Sequence, residues 1–195
     1  MAAGLALALS GACGGHGPAR REPDAAAVAA PTTVRLIEQA RGEERARRYD
    51  RARALYQQAA DTAPDRASAA HAWLQLASAL LFWGELADGV RALERVLALD
   101  PGSVRAWHDL GVVRATLGDA AGAERALRRA TALAPREPRP HVALAALLVK
   151  QRRFGEALAE YQALEGLDLP DATRRAIARA IEICRAERAR QGEPR

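Results

Sequence analysis

Lysine is almost missing from this chain: of 29 basic residues only Lys150 is a lysine, and the rest are arginines. The arginines run from Arg20 to Arg195, interleaved with 24 Asp and Glu, and leave a formal charge of +5. A nucleic-acid surface needs cations gathered on one face beside aromatics or a reading motif. That grouping is absent, so no nucleic-acid partner is expected. Cysteine is scarce too, and Cys13 and Cys184 have neither paired metal-ligand spacing nor the density of a disulfide framework. No apolar run approaches the roughly 18 residues of a membrane-spanning helix. A Gly-rich phosphate loop, a nucleophile elbow and an HExxH motif are all lacking. The chain is therefore not expected to be an enzyme, and no catalytic residue, metal, cofactor or small-molecule substrate is expected. His71, His108 and His141 lie 37 and 33 residues apart, and His16 stands alone near the start. Such intervals do not bring ligands together on one element, so the three later histidines are expected in the core or in a groove.

What remains is alanine, arginine and leucine, with few β-branched and few aromatic residues. That mixture favours helix over strand. From residue 34 onward the chain repeats itself. Pro101 and Pro135 are 34 residues apart, and the same interval separates Trp73 from Trp107, Leu76 from Leu110 and Ala77 from Gly111. It also separates Gly84 from Gly118, Gly89 from Ala123, Leu93 from Leu127, Val96 from Ala130 and Leu99 from Leu133. Each unit reads as two helices: one from the tryptophan to the turn glycine, a second from there to the proline, which cannot continue a helix. Small residues at Ala77, Gly89, Gly111 and Ala123 mark close helix approach, and Trp73 and Trp107 are expected to add bulk across the seam.

This pattern of W, L-G, G, A, L, A and P on a 34-residue period resembles the tetratricopeptide repeat. It is carried by Trp73, Leu76, Gly84, Leu93 and Pro101 in one unit. In the next it is carried by Trp107, Leu110, Gly111, Gly118, Ala123, Leu127, Ala130 and Pro135. Two flanking units follow the register less fully. Before the pair come Tyr49, Ala52, Tyr56, Ala59 and Pro64, with 37 residues between Pro64 and Pro101. After it come His141, Leu144, Ala145, Phe154, Ala157 and Tyr161, with Arg152 in the turn-glycine position. The resemblance implies an all-α helix-turn-helix superhelix of about four repeats over 34–170, divided at about 34–68, 70–103, 104–137 and 138–170. A C-terminal capping helix over 171–188 follows, with Asp171 as its N-cap and an apolar stripe of Ile177, Ala180, Ile181 and Cys184.

Residues 1–13, MAAGLALALSGAC, are apolar or small up to a cysteine. This resembles the end of a bacterial lipoprotein signal and implies lipidation at Cys13. Ser10 stands where leucine is usual, and no Lys or Arg precedes the apolar stretch. A start codon placed too far downstream would account for both. Residues 14–33, rich in Gly, Pro and Ala, read as a disordered tether of the kind that floats a domain off a bilayer. The other reading of this region is a plain disordered tail with an incidental cysteine.

In tetratricopeptide arrays the first helices line a concave groove that takes a segment of another protein. By register the groove positions are Leu74, Ser78 and Leu81, then His108, Val112 and Ala115, then Val142, Ala146 and Val149. His71, Arg105 and Arg139 stand at its outer part. Some of these side chains could instead pack between units, and the run Leu80-Leu81-Phe82-Trp83 is too apolar to be wholly solvated. The expected function is a protein–protein interaction scaffold. It is expected to be lipid-anchored in the bacterial envelope, as an outer-membrane lipoprotein facing the periplasm, and to hold an apolar or amphipathic segment of an envelope complex. The alternatives are a soluble cytoplasmic adaptor and, behind it, an accessory subunit of an enzyme.

Overall fold

The computed structural model describes residues 25–192, with side chains from residue 32 onward. Among the described residues there are nine helices. They are α1 (Ala25–Arg45), α2 (Tyr49–Asp61), α3 (Arg66–Phe82), α4 (Leu86–Leu99), α5 (Val104–Thr116), α6 (Ala120–Leu133), α7 (Pro138–Lys150), α8 (Phe154–Gln162) and α9 (Asp171–Arg190). Each helix packs on the next in chain order; α1 also touches α3, and α5 touches α7. The expected arrangement of four helix pairs and a final helix is what forms. Cys13 and His16 lie outside the described residues, as does most of the segment read as a tether. Its last part is helical, because α1 opens at Ala25 in a run of alanines, the residue with the highest helix propensity.

The three extra residues between Pro64 and Pro101 do not lengthen a loop. They lie in α3, which has 17 residues against 13 in α5 and 13 in α7, Pro64 standing one place later in its four-residue loop than Pro101 does. Asp65 makes this possible by accepting a hydrogen bond from the Ser68 backbone N–H at 2.8 Å, which satisfies an otherwise orphan donor of the first turn. The second unit therefore starts near residue 65, ahead of the expected boundary at 68–70.

The turns inside the pairs follow one rule. Gly84 and Gly118 sit at φ +83° and +85°, and Arg47 and Arg152 occupy the same place in the outer pairs at φ +58° and +60°. Only glycine enters this region without steric cost, so two of the four turns hold an arginine in a conformation its Cβ opposes.

Leucines, not tryptophans, form the seams. Leu76, Leu110 and Leu144 recur at the repeat interval and are 0–2% exposed, as are Leu93 and Leu127. Trp73 and Trp107 are only half-buried, and the Trp107 indole N–H reaches the Pro101 carbonyl at 3.0 Å. Glycine and alanine exchange places at the two central crossings: α3–α4 has Ala77 and Gly89, α5–α6 has Gly111 and Ala123. A Cβ on Gly111 would lie 2.5 Å from Leu127 Cγ and 3.2 Å from the Ala123 carbonyl, so that approach is closed to any side chain.

The buried residues fall into two clusters. One spans α1 to α5 with Ala126 of α6; the other takes Ala123 and Leu127 and runs on through α9. Ile177, Ile181 and Cys184 seal the second cluster, as a terminal element of a repeat array must. Pro170, not Asp171, is the N-cap of α9; Asp171 instead pairs with Arg174 at 2.9 Å.

Candidate functional site

From α1 to α8 each helix packs on the next across a connection of three or four residues, which turns the chain back each time, so the first helices α1, α3, α5 and α7 run alike and can share one face. On α3 that face carries Leu74, Ser78 and Phe82, four residues apart and so stacked along one side. Ser78 identifies the face: its hydroxyl donates to the Leu74 carbonyl at 2.9 Å and accepts from Arg105 of α5 at 2.9 Å. Phe82, at the end of the stripe, is 85% exposed, the most exposed of the large hydrophobics.

Leu81 does not share this face. It packs against the first cluster and lies so close over Gly89 of α4 that a Cβ there would sit 2.4 Å from Leu81 Cδ2. One step along a helix rotates a side chain by about 100°, so the outward position is Phe82. The same shift holds in the later pairs. Val149 packs on the second cluster, and Ala115 lies between that cluster and the surface. Thr116 and Lys150, one residue further, line an open cavity. Strict four-residue spacing from Leu74, His108 and Val142 would have found Phe82, Thr116 and Lys150 in the sequence.

Three cavities open on or beside this face. The first, of about 470 Å³, takes His71 and Leu74 together with Val96, Leu99 and Asp100. Its counterpart one repeat on, of about 300 Å³, takes Arg105 and His108 with Val104, Arg139 and Pro140. These two niches use repeat-equivalent positions, so the repeat writes the same hollow twice. The third, of about 230 Å³ between α5 and α7, brings together Val112, Ala115 and Ala146, and adds Leu127, Leu147 and Lys150. Val142 is half-buried against the second cluster.

The histidines divide by environment. His71 is exposed. His108 has Nδ1 2.9 Å from Asp109 Oδ1. His141 is buried at 6% exposure, with Nδ1 2.8 Å from Glu160 Oε2 and Nε2 3.2 Å from the Pro135 carbonyl. It ties α7 to α8 and to the loop before α7, so both ring nitrogens are spent on structure.

Charge is organised mainly between second helices. Arg53 of α2 reaches Glu85 and Asp88 at the start of α4. Arg153 bonds Glu124 of α6 at 2.6 Å and Glu156 at 2.7 Å, and Arg128 bonds the same two carboxylates at 2.8 and 2.9 Å. The Arg153 guanidinium, and then Arg128, hold both glutamates below the usual carboxylate range. Burial, then the 2.6 Å bond to Glu44, raises the Tyr56 hydroxyl well above the usual tyrosine value. Burial likewise pushes the Cys184 thiol up. None of these groups opens onto the first-helix face with a second reactive partner. What that face offers is shape, apolar surface and scattered cations.

Residues 83–141 match the family model described as Tetratricopeptide repeat. The fold is similar to that of a crystal structure of MamA, with a TM-score of 0.68 and 18% identity over 81% of this chain and 83% of that one. It is also similar to YrrB, described as a TPR protein with an unusual peptide-binding site, with a TM-score of 0.62 and 18% identity over 81% and 77%. A third likeness is to MamA from Desulfovibrio magneticus RS-1, with a TM-score of 0.58 and 20% identity over 68% and 73%. At these identities the likeness is one of fold. No curated protein matches the chain.

Proposed function

We propose that this chain works as tetratricopeptide repeat proteins do, and that its first-helix face docks a segment of another protein. The observation that carries this is the stripe Leu74–Ser78–Phe82, ending on a phenylalanine left 85% exposed; the next two first helices add an apolar cavity of their own. Exposed aromatics and apolar hollows are what interface cores are built from. YrrB, a TPR protein of similar fold, has a peptide-binding site, which supports the same use here. The occupant is an apolar or amphipathic segment, because the third cavity is walled by Val112, Ala115, Leu127, Ala146 and Leu147.

The test is a photo-cross-linking amino acid placed at position 82, at position 112 or at the second-helix position 95, in the host cell. Adducts to one partner from 82 and 112 but not from 95 are expected. Equal adducts from 95 would remove the groove from the account.

We further propose that the array is a lipid-anchored envelope adaptor held through Cys13. The sequence MAAGLALALSGAC and the Gly/Pro-rich stretch after it support this reading. Incorporation of a labelled fatty acid should be lost in Cys13→Ser. Label that persists in the variant excludes Cys13 as the anchor, and a protein that never takes label returns the reading to a soluble adaptor.

A further inference from the structure

Lys150, the single lysine of the chain, ends α7 at the rim of the apolar cavity shared with α5. Its side chain is exposed, and its ammonium makes no hydrogen bond or ion pair among the described residues. The carboxylates on the surrounding elements are all engaged elsewhere. On α5, Asp109 lies 3.6 Å from Arg105 and 2.9 Å from His108. In the turn after it, Asp119 accepts from the Gly122 N–H at 2.8 Å and lies 3.9 Å from Arg114. Glu124 of α6 and Glu156 of α8 are held by Arg128 and Arg153, and Glu160 of α8 is held by His141 at 2.8 Å. No Asp or Glu lies on α7 itself. Thr116, the other polar group in the cavity wall, spends its hydroxyl hydrogen on the Val112 carbonyl at 3.0 Å. The cavity is thus an apolar hollow with one uncommitted positive charge at its mouth.

We infer that this cavity is a subsite for an apolar side chain followed closely by a carboxylate in the docked segment, and that Lys150 is the group that meets the carboxylate. This rests on the groove reading above and adds the chemistry and direction of its occupant. The hollow of about 230 Å³ accepts an aliphatic or aromatic side chain, while the flexible stem of a lysine lets its charge follow the chain. Direction follows from the order of the helices: Lys150 ends α7 and Phe82 ends α3, with α5 between them in the array. Its acidic end lies over α7 and its apolar end over Phe82.

The experiment pans a random library of displayed 12-residue peptides against the full chain, against Lys150→Glu and against Ala146→Trp, with circular dichroism to verify that both variants fold. The wild-type chain is expected to enrich peptides with an apolar residue a few positions from Asp or Glu. Lys150→Glu should turn the preference at that position to Lys or Arg, and Ala146→Trp, by filling the hollow, should abolish the apolar preference. For the best wild-type peptide, anisotropy titration should show about tenfold weaker binding to Lys150→Glu, largely restored when the peptide's acid is changed to lysine. Enrichment without an acidic bias, or with the same peptides on wild type and Lys150→Glu, overturns the inference and leaves the groove standing. No enrichment on the wild-type chain, or enrichment untouched by Ala146→Trp, overturns the inference and the groove reading together.

Discussion

Leu81 and Phe82 are neighbours of similar hydrophobicity with opposite duties. Leu81 covers Gly89 inside the α3–α4 pair, so Leu81→Glu would place a charge against the first cluster and should unfold the central repeats, read as lost helical ellipticity. Phe82 has almost nothing to lose in the free chain at 85% exposure. Phe82→Glu should leave the melting temperature within a few degrees of wild type while abolishing partner capture. If Phe82→Glu unfolds the chain, the stripe is core and the docking face is misplaced. The turn arginines supply a second test at this scale. Arg47 sits at φ +58°, a region that costs an L-residue about 1–2 kcal/mol. Arg47→Gly should therefore raise stability by roughly 0.5–1 kcal/mol after the entropy of the extra glycine is counted. Gly118→Ala, at φ +85°, should lower it by about the same strain. Urea titration followed by circular dichroism measures both.

At the scale of helix pairs, leucines and glycines carry the load that the sequence pattern suggests for tryptophan. Leu110→Ala removes a side chain 2% exposed and should cost about 2–5 kcal/mol through transfer and cavity terms. Trp107→Ala removes a half-buried ring and should cost nearer 2 kcal/mol; a larger loss for Trp107 than for Leu110 would contradict the packing. Gly111→Ala forces Leu127 and the Ala123 carbonyl apart, an overpacking penalty on the order of 1–3 kcal/mol. The α6–α8 network adds a pH signature. Glu124 and Glu156 have folded-state pKa values below their unfolded ones because Arg153, and then Arg128, bond them. Their stabilisation is present in full above the unfolded carboxylate pKa and is lost as pH falls through the depressed folded values. Solvent screens these pairs, so Glu124→Gln should cost at most about 1 kcal/mol at pH 7. The gap between variant and wild-type melting temperatures should close as acidification passes below the usual carboxylate range, and a constant gap would exclude the mechanism.

At the scale of the whole molecule, the division of the core predicts how the array opens. All three tryptophans pack against the α1–α5 cluster, and Cys184 is 1% exposed in the cluster that ends at α9. Repeat arrays gain stability from neighbour interfaces and can open from one end. In a Cys13→Ser background, alkylation of Cys184 should proceed at lower urea than the change in tryptophan fluorescence. The reason is that the last pair rests on the shortest helix, α8 with 9 residues, and on a single covering helix. Coincident midpoints would show that the two clusters unfold as one unit.

The 34-residue period and its leucines determined the fold from sequence alone, since amphipathic helix pairs that recur at a fixed interval can bury their stripes only by stacking on like neighbours. The positions of the turn glycines, the fall of Arg152 into a glycine's place and the burial of Cys184 were legible in the same register. The rotational phase of each first helix was not. A period counts residues between units, while the side that faces α4 and the side that faces outward differ by one residue and about 100°. The close approach at Gly89 set that phase, turning Leu81 inward and Phe82 outward. The engagement of each carboxylate around Lys150 likewise depends on which helices lie side by side. Only the tertiary structure therefore decided that the apolar first-helix face ends on a phenylalanine at one side and on an uncommitted lysine at the other.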